Sequence, residues 1–287
     1  MTAARQSVFE TLLLAYAKRF PLRRGKLRLV NSLWRLAAGG GDTRRLAQLK
    51  YGGFRLPCDV SEMLQRQFYF FGTYFVEEHI LACWQAAAKE AGVVCDVGAN
   101  AGIYSLSALA AAPTATVHAF EPTSEIAGRL REAANLNSLG RLYIHETAVS
   151  NENGYATLVR CRGDQGYNDG MNFIGSANTI GERVPAITLD TFCERNGIDR
   201  IDLLKLDIQG HEHVALGGAT GLLRDGRLGT IFTELNWAAG TAACAASETV
   251  RILASAGYRF SQPGKQLDWR LAGDWLHALN DVVARRP

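Results

Sequence analysis

Val93-Val94-Cys95-Asp96-Val97-Gly98-Ala99-Asn100-Ala101-Gly102 is the stretch on which the fold turns. Residues 93–97 form a short apolar run closed by Gly98, the pattern of a parallel strand buried on both faces. Gly98 and Gly102 let the backbone turn tightly and approach a ligand with no Cβ in the way. The helix expected to open beyond them offers unpaired N–H groups. A dinucleotide fingerprint would space its glycines G-x-G-x-x-G. Here the glycines are four apart, Asn100 stands between them and Asp96 precedes them. A leading acid suits a cationic or amino-bearing ligand better than a pyrophosphate.

Working outward, strands and helices alternate. A helix through Tyr104 and Leu109 leads to a strand over Thr116–Phe120, a helix over Ser124–Asn135 and a strand over Leu142–Glu146. Two candidate strands, Tyr155–Cys161 and Arg183–Thr188, flank a polar loop. A helix over Leu189–Asn196, a strand over Asp202–Leu206, a helix from His211, a strand over Thr230–Glu234 and a helix over Ser247–Ala256 follow. Strands near Tyr258–Ser261 and Leu267–Leu271 end the pattern. Alternation of this kind predicts a doubly wound, Rossmann-like α/β sheet covered by helices on both faces. Ligands bind such sheets beyond the carboxyl ends of the strands, where strand order reverses. The second strand ends His118-Ala119-Phe120-Glu121-Pro122, 25 residues after Asp96 at Glu121. A carboxylate there can accept both hydroxyls of a ribose.

The chain has 287 residues, 47% hydrophobic and 21% charged, which excludes disorder and fits one large α/β domain with an appendage. No apolar run approaches the ~20 residues of a membrane span. Six cysteines without a C-x-x-C pair give no support to structural zinc and read as free thiols in a reducing compartment. No secretory leader pattern is read at the N-terminus, so the expected location is the cytoplasm. Charge is unevenly spread. Residues 1–60 carry 12 basic and 3 acidic side chains, a net of +9, which leaves −6 for the remainder of a chain whose total is +3. Helical spacing of Val8, Phe9, Leu12, Leu13, Tyr16 and Phe20, ended by Pro21, predicts a helix in this arm. The expected division is a basic, mainly helical extension over 1–65 and a catalytic domain over 66–287. The arm reads either as solvated helices packing an apolar stripe on the domain, or as a peripheral contact with the anionic inner face of a membrane. No zinc finger, RRM or helix-turn-helix signature supports a nucleic-acid partner.

Asp-Val-Gly-Ala-Asn-x-Gly followed by Phe120-Glu121-Pro122 resembles the cofactor half of class I S-adenosylmethionine methyltransferases. Together with Leu203-Leu204-Lys205-Leu206-Asp207-Ile208-Gln209-Gly210-His211-Glu212, Thr188-Leu189-Asp190 and Thr233-Glu234-Leu235-Asn236, it resembles the FkbM family over about residues 70–262. The resemblance implies that Asp96, Gly98, Asn100 and Gly102 hold the amino acid end of S-adenosylmethionine. It implies that Glu121 binds the ribose, that Ala148, between Thr147 and Val149, lies against the adenine, and that Asp207 faces donor and acceptor. The implied reaction is O-methylation of a sugar, glycan, glycolipid or secondary metabolite. The family usually shows Asp-x-Glu-Gly-x-Glu where this chain has Gln209, so any role needing a carboxylate at 209 is open.

For the chemistry, Asp207 ends a buried strand at the ligand edge and is the first choice of base. Lys205, in an apolar strand, must be paired or shift its pKa; Asp207 and Glu234 are the candidate partners, and the three form a candidate acid–base cluster or a structural ion pair. His211 and His213 lie two apart, point about 200° from each other on a helix and lack H-E-x-x-H spacing, so no metal is expected. His118 reads as a satisfied buried histidine. The loop Arg162–Thr179, with Tyr167 and Phe173, and Trp237 are candidates for acceptor contact. Two other functions compete: a nicotinamide-dependent oxidoreductase, disfavoured by the missing fingerprint, and a non-catalytic nucleoside-binding module.

Overall fold

The computed structural model describes residues 7–21, 23–38, 42–163, 166–167, 172–175, 179–235, 241–262 and 281–286. The chain begins with helices α1 (Val8–Arg19) and α2 (Lys26–Ala38), the hairpin β1 (Arg44–Gln48) and β2 (Arg55–Asp59), and helices α3 (Met63–Phe71) and α4 (Glu78–Ala88). Then follow β3 (Val93–Val97), α5 (Ile103–Ala111), β4 (Thr116–Phe120), α6 (Ser124–Leu136), β5 (Leu142–His145) and β6 (Ala148–Val149). A strand-rich insertion comes next: β7 (Gly154–Val159), β8 (Arg162–Gly163), β9 (Gly166–Tyr167), β10 (Phe173–Gly175) and β11 (Glu182–Ile187). The remainder is α7 (Leu189–Asn196), β12 (Ile201–Leu206), α8 (Glu212–Gly217), α9 (Thr220–Arg224), β13 (Leu228–Glu234), α10 (Thr241–Ser255), β14 (Arg259–Ser261) and β15 (Asp281–Arg285).

Seven strands form the central sheet in the order β14-β15-β13-β12-β3-β4-β5. The five strands from β13 to β5 run parallel, and β15 is antiparallel to both its neighbours. The chain therefore walks from β3 to β5 in one direction, then restarts at β12 on the other side of β3. That reversal leaves a crevice at the carboxyl ends of β3 and β12. The doubly wound, Rossmann-like sheet expected from the alternation is present, and Thr116–Phe120 and Leu189–Asn196 carry the expected bounds. Strand β15 was not expected. Its five residues carry no flanking periodicity, and only pairing with β13 and β14 gives them a partner. The expected strand over 267–271 lies outside the described residues.

Local chemistry explains the elements near the crevice. Val94, Cys95 and Val97 are buried, as are Leu203, Leu204 and Leu206 on the paired strand, so both faces of the sheet exclude water. Thr188 caps α7 by accepting from the Thr191 N–H, and Gly197 ends that helix in the left-handed region. The arm is fastened to the domain. Glu10 of α1 is buried, accepts from Arg45 Nε at 2.6 Å and from the Tyr69 hydroxyl at 2.7 Å, and so ties α1 to β1 and α3. Leu13, Ala17, Val30 and Trp34 belong to the same hydrophobic cluster as Phe68, Trp84 and Leu106. The hairpin β1–β2 is the part of residues 1–65 that helical spacing does not show. Cys58, Cys83, Cys95, Cys161 and Cys193 are free thiols among the described residues. No helix among them is long and apolar enough to cross a membrane.

Candidate active site

A cavity of about 320 Å3 opens where the strand order reverses, within the size range of small-molecule sites. Its floor is the turn after β3. Gly98 has φ 81°, and a Cβ there would stand 2.0 Å from the Asp207 carbonyl oxygen. Only glycine lets the ends of β3 and β12 meet this closely. Asn100 adopts φ 49°, and its side-chain oxygen accepts from the Ala101 N–H at 2.6 Å; a short polar side chain of this kind tolerates the left-handed region. Gly102 has φ 84° and sits against Leu130, behind the cavity wall.

Glu121, at the end of β4, is buried and lines the cavity. One of its oxygens accepts from the Asn100 N–H at 3.0 Å and the other from the Thr123 N–H at 2.9 Å. The carboxylate thus fixes the glycine turn to the second strand. Thr147, Ala148 and Val149 line the same side with Phe120, Leu158 and Ile174, an apolar slot for a flat ring.

Asp96 is not on the cavity surface. It is 1% exposed, and one oxygen accepts from the Ser105 N–H at 2.9 Å and its hydroxyl at 2.6 Å. It therefore anchors the first turn of α5 from behind. Burial pushes its carboxyl up to about 6, against the pull of the Ser105 hydrogen bonds and the Lys205 charge.

Across the crevice, Lys205 is buried and donates to Asp207 Oδ2 at 3.1 Å. Its ammonium also lies 4.7 Å from the centre of the Tyr104 ring. Asp207, one of the two candidate partners, forms an ion pair with Lys205. Gln209 takes a left-handed backbone, φ 54°, and its amide nitrogen donates to Asp207 Oδ1 at 3.1 Å and to Glu234 Oε2 at 2.9 Å. Asp207, Gln209 and Glu234 all line the cavity. Burial raises the Asp207 carboxyl, but the Lys205 charge and hydrogen bonds from its neighbours outweigh it and hold Asp207 below the usual carboxylate range. Asp207 does not cap the next helix. That loop is closed by buried Glu212, which accepts from the Ile208 N–H at 2.9 Å and the Gly210 N–H at 3.3 Å.

The wall facing Asp207 comes from residues that sequence reading passed over. Met63, Leu64 and Phe68 of α3 line the cavity with Tyr74, Glu77 and Tyr104. The Tyr104 hydroxyl donates to Glu77 at 2.7 Å. Burial, then the charges of Glu77 and Asp207, drive the Tyr74 phenol upward, so it stays protonated and able to donate. The signal the sequence carries there is the aromatic-rich run Phe68–Phe75. Of the polar loop, Asn172 and Phe173 reach the cavity; Trp237 lies outside the described residues. His211 bonds the Ser150 hydroxyl at 3.2 Å, and burial, with His213, lowers it to about 4. His118 is buried and faces His145, Nδ1 to Nε2, at 3.1 Å. Among the described residues no group of three His, Cys, Asp or Glu side chains is placed to hold a metal.

Residues 96–260 match the methyltransferase FkbM domain. The chain belongs to the FkbM methyltransferase family. The FkbM domain runs from Asp96, at the first strand end, to Phe260 in β14, and so contains the glycine turn, Glu121, Lys205, Asp207 and Glu234. Its cofactor is S-adenosylmethionine, which removes the nicotinamide reading. The chain is 31% identical over 156 residues to the 2-O-methyltransferase NoeI of Sinorhizobium fredii, covering 50% of this chain and 62% of that protein. It is 30% identical over 159 residues to the antimetabolite synthetase AmbE of Pseudomonas aeruginosa, covering 44% of this chain and 8% of that one. The chain thus spans less than two thirds of the curated relatives it matches. An O-methyltransferase from Bacillus cereus in complex with SAH aligns with a TM-score of 0.45 at 10% identity, over 73% of this chain and 79% of that one. The FkbM domain's residues fit the cofactor: a floor that admits no Cβ at Gly98, a carboxylate at Glu121 and an apolar slot beside Ala148.

Proposed function

We propose that this protein transfers a methyl group to a hydroxyl oxygen of a neutral sugar, a glycan, a glycolipid or a hydroxylated metabolite in the cytoplasm. The observation that carries the reading is the placement of Asp207. It is a carboxylate kept ionised by Lys205, on the cavity surface, and its backbone carbonyl lies against the glycine turn. Gly98, Asn100, Glu121 and Ala148 would hold the cofactor, and Asp96 and Gly102 would set the turn that presents them. When bound, S-adenosylmethionine supplies an electrophilic methyl group on a sulfonium sulfur. An acceptor hydroxyl beside Asp207 would take up that methyl group, the sulfur keeping the electron pair of the broken carbon–sulfur bond, and would give its proton to an Asp207 carboxylate oxygen. A carboxylate below its usual range is a weak base. It takes the proton only as the new bond forms, so alignment supplies most of the acceleration.

Glu77, Glu234 and Tyr74 offer hydrogen bonds to further hydroxyls of the acceptor, and Tyr104 and Phe173 offer ring faces. Four carboxyl side chains line the wall (Glu77, Glu121, Asp207 and Glu234), and no basic side chain lines it among the described residues. That set favours a neutral acceptor over a phosphorylated or carboxylated one. NoeI is named for 2-O-methylation, which agrees with oxygen as the acceptor atom.

The test pairs two variants. Glu121→Ala weakens S-adenosylhomocysteine binding by calorimetry about 10-fold or more. Asp207→Asn keeps that binding within about threefold and lowers label transfer from methyl-labelled S-adenosylmethionine into the glycan and lipid fractions of a cell extract by about 100-fold or more. Full transfer by Asp207→Asn would remove Asp207 from the role of base. Binding without any transfer by the unaltered protein would favour a nucleoside-binding module.

A further inference from the structure

Helix α1 carries apolar side chains on two opposite faces. Glu10, Leu13 and Ala17 face inward and are buried. Val8, Leu12, Ala15 and Arg19 recur at i, i+4, i+7 and i+11, one stripe of a 3.6-residue helix. Val8 is 80% exposed and Leu12 62%, with Phe9 and Phe20 also exposed. Helix α2 repeats the arrangement. Val30 and Trp34 are buried, while Leu29 and Leu36, seven residues apart, are exposed, Leu36 by 67%. Arg28 and Arg35, also seven apart and exposed, form the neighbouring stripe. Eight of the twelve large apolar side chains exposed among the described residues lie before residue 64. A globular surface scatters such side chains singly; here they gather on one small part of the chain.

The same part is the cationic one. The three acids of residues 1–60 are already engaged, Glu10 with Arg45, Asp42 with the Arg44 N–H and Asp59 with Ser61. Arg23 and Lys50 are drawn to Glu78. Lys18, Arg19, Arg24, Arg28 and Arg35 are exposed and have no ion pair among the described residues. Exposed apolar stripes bordered by unpaired cations match one kind of surface: apolar below the headgroups and anionic at them.

We propose that the outward faces of α1 and α2 dock on an anionic lipid bilayer, the side chains of Val8, Leu12, Leu29 and Leu36 entering it and Arg19, Arg24, Arg28 and Arg35 meeting its headgroups. This goes beyond the methyl transfer, and stands or falls apart from it. The arm is joined to the catalytic domain through Glu10, Arg45 and Tyr69 and through α3, whose Met63, Leu64 and Phe68 wall the cavity. Docking therefore holds the active site at the membrane and brings it to acceptors borne there. Each cation near an anionic surface multiplies the partitioning about fivefold, and salt screens that part of the attraction.

The test sediments the full chain with vesicles of phosphatidylcholine alone and with vesicles containing about 30% phosphatidylglycerol, at ~0.1 M salt. The expected result is at least about 20-fold stronger binding to the anionic vesicles, weakened about 10-fold by the double variant Leu12→Glu/Leu36→Glu and again by Arg28→Glu/Arg35→Glu. These side chains are exposed, so thermal unfolding and S-adenosylhomocysteine binding stay at their unaltered values. Equal binding to both vesicle types, no binding, or binding indifferent to both double variants would overturn the proposal. So would a dimer, seen in sedimentation equilibrium without vesicle binding, that Leu12→Glu/Leu36→Glu dissolves; these faces would then cover a second copy of the chain.

Discussion

Asp96 and Asp207 flank one lysine and behave in opposite ways. Asp96 on β3 stands opposite Lys205 in the strand register, and Asp207 follows Lys205 by two residues. Asp96 is sealed inside with Ser105 as its hydrogen-bond donor, and burial carries it up to about 6. Asp207 reaches the cavity surface, has the lysine at 3.1 Å and an amide at 3.1 Å, and is held down. Distance to the cation and access to donors decide which carboxyl is raised and which is lowered, although both are aspartates at strand ends in the same crevice. One acts as a fixed brace under the cofactor side. The other faces the acceptor as an ionised group.

The strongest way to break this contrast is to remove the shared cation. Lys205→Met keeps length and apolar packing under the Tyr104 ring but leaves half-buried Asp207 and buried Asp96 without their shared cation. Breaking a fully buried pair costs about 3–5 kcal/mol, and the exposure of Asp207 lowers that to about 2–3 kcal/mol. We expect chemical denaturation at neutral pH to show a loss of that order, shrinking as the pH falls and the carboxylates take up protons. A loss independent of pH would mean that Lys205 contributes packing rather than charge.

A pH series on the two aspartates sharpens the contrast. The Asp96 carboxyl is raised from 3.8 to about 6 by folding. The folded protein therefore binds the proton more tightly than the unfolded chain. The stability this contributes is fully present below about pH 4 and is lost as pH rises through 6, amounting to about 3 kcal/mol. Asp96→Asn should abolish that decline, so that the variant gains on the unaltered protein between pH 4 and 7. Asp207 has the opposite sign. Its contribution is present above the usual carboxylate range and is lost as pH falls below about 4, so Asp207→Asn should flatten the acid side of the stability curve. Parallel curves for both variants would show that the two sites do not differ as described.

The same contrast explains what the sequence could reveal. The turn after β3 is built from backbone conformation, and its requirements are written in residue type: Gly98 where a Cβ would strike the Asp207 carbonyl, Asn100 in a left-handed position. Strand ends at Val97, Phe120 and Leu206 were legible because apolar runs stop there. Spacing could also nominate Lys205, Asp207 and Glu234. It could not rank Asp207, two residues from Lys205, against Glu234, 29 residues away on the neighbouring strand, because both are equally plausible on paper. Nor could it show that Asp96 turns inward to Ser105. The far wall was the least legible. Met63 and Phe68 belong to α3, which packs against the hairpin β1–β2, and Tyr74 and Glu77 follow it in the chain; these contacts have no local pattern. The FkbM match begins at residue 96, after all of these residues.

Gln209 offers the finest test, because the resemblance places a glutamate at this position and the structure shows what the amide does. One side-chain nitrogen serves two acids on neighbouring strands, Asp207 at 3.1 Å and Glu234 at 2.9 Å. Gln209→Glu removes both donated hydrogen bonds and sets a third carboxylate between two others, in a backbone conformation that stays as it was. Like charges this close oppose one another's ionisation, so a proton is retained among the three. The acid limb of the rate profile should move to higher pH, and turnover at neutral pH should fall about 10-fold. Binding of S-adenosylhomocysteine should change by no more than about threefold, since the glycine turn and Glu121 are untouched. That split marks Gln209 as a residue that positions Asp207 rather than one that touches the cofactor. An acid limb that does not move would show that Lys205 alone keeps Asp207 ionised, and that the bridge to Glu234 serves only to join the ends of β12 and β13.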